Sequence, residues 1–224
     1  QAHSFILWGP PGVGKTTLAR IFARACDGEL VIMSAVSAGV KDVRDVIDAA
    51  RSRQASEGRR TLLFLDEIHR FNKAQQDALL PAMESGELTL IGATTENPSF
   101  SLNNALLSRA RVYILRSIDS EALGGILDRA MTHPQGVRLS LGLDADDSMP
   151  ELDPAVRARM IEVADGDARR GLTLLELAAQ LAVQSGAERI GEQALAQLLE
   201  AGPNRFDKGG DDFYDQISAM HKSV

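Results

Sequence analysis

Three groups of residues have the types and spacing to handle phosphate, a divalent cation and water. The first is Gly9-Pro10-Pro11-Gly12-Val13-Gly14-Lys15-Thr16, a phosphate-binding loop by spacing and composition. Gly9, Gly12 and Gly14 permit backbone conformations that a side chain would block, so successive N–H groups can turn inward around phosphate oxygens. A helix starting near Lys15 adds free N–H donors and a partial positive charge. Lys15 is expected on the β- and γ-phosphates of a nucleotide, and the Thr16 hydroxyl is of the right length and hardness to ligate Mg²⁺. The competing reading is a glycine-rich turn with no ligand.

The second group closes a buried run, Thr61-Leu62-Leu63-Phe64-Leu65-Asp66-Glu67. A buried strand seldom ends in two carboxylates without a cation or polar site to face. Asp66 suits a second Mg²⁺ ligand, held directly or through water, and Glu67 suits the residue that polarises an attacking water. The alternative is a helix-capping pair on an exposed turn. The third group is scattered. Thr95 can orient the water at the γ-phosphate, or can simply build the turn before Pro98. Arg169, in the first turn of a helix capped by Asp167, can swing onto phosphates or stay a surface arginine. Arg109 precedes a strand, whereas the phosphate loop, Asp66 and Thr95 follow strands. It therefore lies at the opposite sheet edge, roughly 15 Å away. It can reach phosphate only on a neighbouring subunit, or it can serve as a helix-terminal cation that offsets the dipole.

The elements that must position these groups can be read from periodicity. Apolar, strand-like runs at Phe5 to Trp8, Leu30 to Met33, Thr61 to Leu65, Leu88 to Ala93 and Val112 to Leu115 alternate with helical patterns. The helices are expected at about Thr16 to Ala25, Lys41 to Gln54, Lys73 to Glu84 and near Leu102 to Ser108. Such alternation implies an α/β fold, a five-stranded parallel sheet with helices on both faces. After Leu115 the strand signals stop. Helices are expected over Glu121 to Met131, after Asp153-Pro154, from Asp167 to about Gln184 and over Glu192 to Glu200, with an irregular excursion from Gly136 to Pro150. The reading is an α/β core over 1–117, an all-helical lid over 118–201, and a last segment, 202–224, containing a further helix at Asp211 to Lys222.

Bulk properties narrow the function classes. The chain has 224 residues and a formal net charge of −7, which argues against nucleic-acid binding by overall charge but leaves a local basic patch open. Lys41, Arg44, Arg70 and Lys73 could line such a patch or belong to a solvated helix face. The four histidines share no metal-ligand spacing, so no zinc site is assigned. Cys26, the single cysteine, excludes an internal disulfide and is expected to be a small buried residue ending the first helix. No apolar run approaches a membrane span and no leader pattern is present, so a cytoplasmic location is expected. Because the chain opens on Gln1 just before a core strand and stops at Val224, it is expected to be part of a longer protein.

Taken together, the loop Gly9 to Thr16 with Thr17, Asp66-Glu67-Ile68-His69-Arg70-Phe71-Asn72-Lys73, Ile91 to Phe100, Ala105 to Val112 and Gly166-Asp167-Ala168-Arg169-Arg170 resemble the AAA+ ATPases of the clamp-loader group. With Arg205-Phe206-Asp207-Lys208 and Phe213 to Val224, the chain more narrowly resembles the replication-associated recombination protein A family, related to eukaryotic Werner-helicase-interacting protein. The resemblance implies a P-loop AAA+ core with a helical lid, and ATP hydrolysis coupled to DNA in replication-fork maintenance, recombination and repair. It implies ATP and Mg²⁺ as ligands. Gly9, Pro10, Pro11, Gly12, Val13, Gly14, Lys15, Thr16 and Thr17 would form the nucleotide loop, and Asp66 and Glu67 the metal-binding and catalytic acids. Thr95 would be sensor 1, Arg109 the arginine finger and Arg169 sensor 2. Single-stranded or forked DNA, single-stranded-DNA-binding protein and further copies of the chain, as a tetramer formed through 202–224 and beyond, are the implied partners, with association to the nucleoid. The runner-up functions are a clamp-loader subunit or branch-migration motor, and an ATP-gated recruitment adaptor.

Overall fold

The computed structural model describes residues 3–133, 135–144 and 147–200, and divides into two compact units, Gln1–Ser117 and Ile118–Val224. The motifs at Arg205 to Lys208 and Phe213 to Val224, and the helix expected at Asp211 to Lys222, lie outside the described residues.

In the first unit the order is β1 (Phe5–Trp8), α1 (Lys15–Ala25), β2 (Glu29–Ser34), α2 (Val40–Glu57), β3 (Thr61–Asp66), α3 (Lys73–Glu84), β4 (Leu88–Thr94), α4 (Pro98–Ser101), α5 (Asn104–Leu107) and β5 (Arg111–Ile114). The strands form one parallel sheet in the order β2-β3-β4-β1-β5, with Trp8 beside Thr94 and Ser34 beside Asp66. The five-stranded parallel sheet expected from the alternation of periods is therefore present. Period-two alternation along β3 sends Leu62 and Phe64 to one face, where they join Phe5, Leu7, Ala19 and Ala23 beneath α1. Leu63 and Leu65 go to the other face and join Val43, Ala50 and Leu79 from α2 and α3. Burial on both faces is what makes β3 read as a continuous apolar run.

Two local expectations change. The single helix expected near Leu102 to Ser108 is instead a pair, because Pro98 opens one short helix behind the Asn97 cap and Asn103 caps a second through the Leu106 N–H. Cys26 is exposed rather than buried, since it is the residue capping the end of α1, past the helix face that meets the sheet.

The second unit contains α6 (Ser120–Thr132), α7 (Val137–Ser140), β6 (Glu151–Leu152), α8 (Pro154–Ala164), α9 (Ala168–Gln184), β7 (Arg189–Ile190) and α10 (Glu192–Glu200). Leu174, Leu175, Ala178, Ala179 and Ala182 of α9 sit at its centre, against Leu127, Met160 and Leu195. The helices begin at the expected caps: Asp119, Asp153 and Asp167 each accept a backbone N–H from the first turn. Among its described residues there is also a parallel ladder of two-residue strands, in which Glu151 pairs Arg189 and Leu152 pairs Ile190. Two residues are too few to leave a periodicity.

Arg157 of α8 clasps Asp128 of α6 through Nε at 2.7 Å and Nη2 at 2.8 Å. This hydrogen bonding, ahead of charge attraction and against partial desolvation, holds the Asp128 carboxyl below its ordinary value. A lowered folded-state value means that the pair stabilises the fold above the ordinary carboxylate range, near pH 4, and that the contribution disappears as pH falls through the lowered value. Asp128 is 55% exposed, so solvent screening limits its worth to below about 1 kcal/mol. Asp128→Asn is expected to lower the melting temperature at pH 7 by a few degrees at most, with the gap to wild type closing in strong acid. A gap that widens on acidification would contradict the pairing.

Candidate active site

The carboxyl edge of the sheet gathers most of the residues singled out by type. β1 ends at Trp8 and feeds the phosphate loop; β3 ends at Asp66, followed by Glu67; β4 ends at Thr94, followed by Thr95. Since β4 lies between β3 and β1, these three ends are consecutive along one edge, where the order of strands reverses.

Gly12 and Gly14 have φ of 69° and 91°, a region that side chains resist, and Gly14 starts α1 without a side-chain cap. With no side chain across it, the positive end of the α1 dipole can face an external anion. Gly9 does something else. Its N–H is given to the Thr94 carbonyl at 3.1 Å, and a Cβ there would lie 2.5 Å from the Leu115 carbonyl oxygen. Gly9 is small because the end of β5 crosses it, so the expectation that it turns its N–H toward phosphate does not hold. Lys15 is 8% exposed, and its Nζ donates to the Gly9 and Pro10 carbonyls, each at 2.9 Å. Thr16 is half-buried on the first turn of α1; Thr17, Pro11 and Thr95 are exposed.

Asp66 is half-buried, and its Oδ1 accepts the Glu67 N–H at 3.1 Å. Glu67 has φ 53° and ψ 41°, a left-handed conformation that costs a non-glycine residue on the order of 1–2 kcal/mol. That twist ends the strand and throws the Glu67 side chain away from the course β3 would have set. The donor set suits a nucleoside triphosphate with Mg²⁺: an uncapped helix start, a buried ammonium folded onto the loop, and hard oxygens at Thr16 and Asp66. Among the described residues no group of three or more His, Cys, Asp or Glu is arranged to hold a metal ion.

His69, which has no metal-ligand spacing in the sequence, sits against Glu67. Its side chain is 4% exposed, with Nε2 3.2 Å from Glu67 Oε2 and 3.5 Å from Glu96 Oε1, and Nδ1 2.9 Å from Thr94 Oγ1. The available signal was its position two residues past Glu67, on the 3₁₀ turn Ile68–Arg70 that the twisted backbone creates.

Arg109 precedes β5, whose first residue pairs with Phe5 at the start of β1, so it lies at the amino edge, away from the phosphate loop of its own chain. It is 39% exposed and is held by Glu84, to which Nε donates at 2.7 Å, with Nη1 on the Ala105 carbonyl at 2.9 Å. Sequence reasoning had no means of finding Glu84. Arg169 is exposed in the first turn of α9, behind Asp167. A cation at a helix N-terminus works against the dipole, which favours a role outside helix stability. Lys41 and Arg44 in the first turns of α2, Arg70, and Lys73 at the start of α3 are all exposed.

With this geometry in view, residues 5–118 match the model of the ATPase family associated with various cellular activities, and residues 146–224 match the AAA C-terminal domain. The chain belongs to the AAA family of ATPases. It is 50% identical over its whole length to replication-associated recombination protein A of Coxiella burnetii, and 49% identical over 99% of its length to the Escherichia coli K12 protein of that name. The narrower resemblance drawn from its motifs therefore holds. The AAA chain spans about half the length of these curated relatives, 49% and 48%. Among solved structures it is similar to the Thermotoga maritima RuvB Holliday junction branch migration motor, with a TM-score of 0.68 and 27% identity over 96% of this chain and 66% of that one. Within the described residues no helix is long and apolar enough to cross a membrane.

Proposed function

We propose that this AAA chain is the catalytic part of a DNA-dependent ATPase that maintains replication forks and acts in recombination and repair. The observation that carries hydrolysis, rather than nucleotide binding alone, is Glu67 next to Asp66 on the same sheet edge as the phosphate loop. Lys15 neutralises the β- and γ-phosphates, and Thr16 and Asp66 hold Mg²⁺, which supplies further charge neutralisation when bound. Gly12, Val13, Gly14 and Thr17 shape the loop around the phosphates, with Gly9, Pro10 and Pro11 as its stem. Glu67 takes the proton of the attacking water, Thr95 orients that water, and the neighbour's Arg109 stabilises charge on the transferring group. Arg169 on the lid makes lid position depend on the nucleotide. The core is 1–117, the lid 118–201, and 202–224 begins the region through which copies associate, as a tetramer in the whole protein. The protein works in the cytoplasm at the nucleoid, with single-stranded-DNA-binding protein as a partner.

The DNA arm of this reading is supported by the names of the relatives and by the exposed Lys41, Arg44, Arg70 and Lys73. All four lie near the amino ends of α2 and α3, at the carboxyl edge of the sheet. The similarity to a branch-migration motor favours a second reading, in which hydrolysis moves the protein along a junction. The lower identity, 27% against 50%, ranks it behind the first.

Turnover of ATP by the full-length protein is expected to rise with single strands, duplex ends or forked DNA, and equal rates with and without DNA would remove the central claim. Glu67→Gln is expected to keep ATP binding and to lose hydrolysis by on the order of 10²–10⁴-fold. Wild-type turnover in that variant would eliminate Glu67 as the base.

A further inference from the structure

The buried imidazole of His69 joins two parts of the site that the reaction needs in register. Thr94 Oγ1 accepts the Glu96 N–H at 3.0 Å, and its own hydrogen has two acceptors in reach, His69 Nδ1 at 2.9 Å and the Glu96 carbonyl at 3.3 Å, of which the imidazole nitrogen is the nearer. Nε2 faces only carboxylate oxygens, which accept and do not donate, so the ring proton belongs on Nε2, toward Glu67 Oε2 at 3.2 Å, and Nδ1 is left to accept from Thr94. Glu96 competes for the same N–H from 3.5 Å, but it is the more distant and more solvated acceptor, 58% exposed against 31% for Glu67. Thr94 also has a second duty: its backbone carbonyl accepts the N–H of Gly9, the first residue of the phosphate loop. One buried residue of β4 thus anchors the loop through its carbonyl and the imidazole through its hydroxyl.

We propose that His69 is a positioning residue for Glu67, holding one carboxylate oxygen so that the other faces the attacking water, and that Thr94 ties this orientation to the seating of the phosphate loop. The inference rests on Glu67 being the base. Three observations converge on it. Glu67 leaves β3 in a strained left-handed conformation, so its backbone alone does not set a relaxed strand-like direction for the side chain. His69 is nearly inaccessible and contacts no other titratable group in the described structure than the two glutamates. The imidazole cannot drift, because Nδ1 is fixed to a strand residue paired with Trp8 at the root of the loop. Misaiming a reacting group by about 1 Å can cost on the order of 100-fold in rate.

The test is steady-state ATP turnover by the full-length protein, with affinity for a non-hydrolysable ATP analogue measured in parallel. His69→Ala is expected to lower kcat by on the order of 10- to 100-fold while affinity for the analogue stays within about threefold. His69→Gln, which restores a donor and an acceptor on a side chain of similar reach, should recover most of that loss. Thr94→Val, which keeps the shape and touches the imidazole but not Glu67, should lower kcat by on the order of 3- to 10-fold, again without loss of affinity. Wild-type kcat in His69→Ala, or in Thr94→Val, overturns the proposal, as does a Gln variant no better than Ala. Where His69→Ala does not fold, the Gln and Val variants decide alone. Glu67→Gln run alongside separates the two levels: if it turns over normally the base is misassigned, whereas if it is dead and His69→Ala is normal, only the positioning role fails.

Discussion

Lys15→Ala is expected to abolish ATP binding at nucleotide concentrations that saturate the wild-type chain. Lys15 is one of few charged or polar side chains buried among the described residues, and its ammonium is bent back onto the Gly9 and Pro10 carbonyls, at the mouth of a helix start that carries no side-chain cap. A phosphate entering there meets N–H dipoles and a positive charge already desolvated, so the interaction is stronger than the same charge would give in water. Removing the ammonium leaves the dipoles, which alone favour an anion by only about 0.3–2 kcal/mol. The readout is thermal stabilisation by ATP. A ligand at 100 times its Kd adds about 2.7 kcal/mol to the stability of a folded protein, and the variant should lose that increment entirely. The ligand-free variant should still melt cooperatively, because Ala19 and Ala23, not Lys15, fasten α1 to the sheet. A variant that keeps the wild-type ATP shift would mean that the loop binds nucleotide through its backbone alone, and the role given to Lys15 would fall.

How far such a site can be read from sequence depends on how local its causes are. The sheet was legible because each strand is a short apolar run and each helix has its own period and cap: Asn72 with Gln75 opens α3, and Asp167 opens α9, by bonds spanning three residues. The phosphate loop and the Asp66-Glu67 pair were legible for the same reason. What was not legible came from partners far apart in the chain. Gly9 is a glycine because of Leu115, Thr94 serves Gly9 and His69, and Arg109 is held by Glu84. Cys26 is exposed because an apolar residue at a helix end belongs to the cap, not to the face. The two-residue ladder between Glu151–Leu152 and Arg189–Ile190 joins segments too short for a pattern. Topology carried one inference across this gap: the edge on which Arg109 lies follows from strand direction alone, with no knowledge of its contacts.

That edge gives the second large prediction. Arg109→Ala is expected to reduce hydrolysis by on the order of 10³-fold, the scale of an arginine that stabilises charge on a transferring phosphoryl group. Activity should return when the variant is mixed with Lys15→Ala chains, which bind no ATP but still present Arg109. In the mixture an intact phosphate loop on one chain can meet an intact arginine on the next, so turnover should rise well above the sum of the two inactive proteins. The ion pair with Glu84 sharpens the test. It is exposed on both sides, and such pairs are worth about 0–1 kcal/mol, so Arg109 can leave Glu84 for a phosphate at little cost. If instead Arg109 serves only to pin the start of β5 to the end of α3, Glu84→Ala should reproduce the loss caused by Arg109→Ala, and mixing should restore nothing. If Arg109 acts on a neighbour, Glu84→Ala should hydrolyse ATP at the wild-type rate or faster, because the guanidinium no longer has to exchange one anion for another.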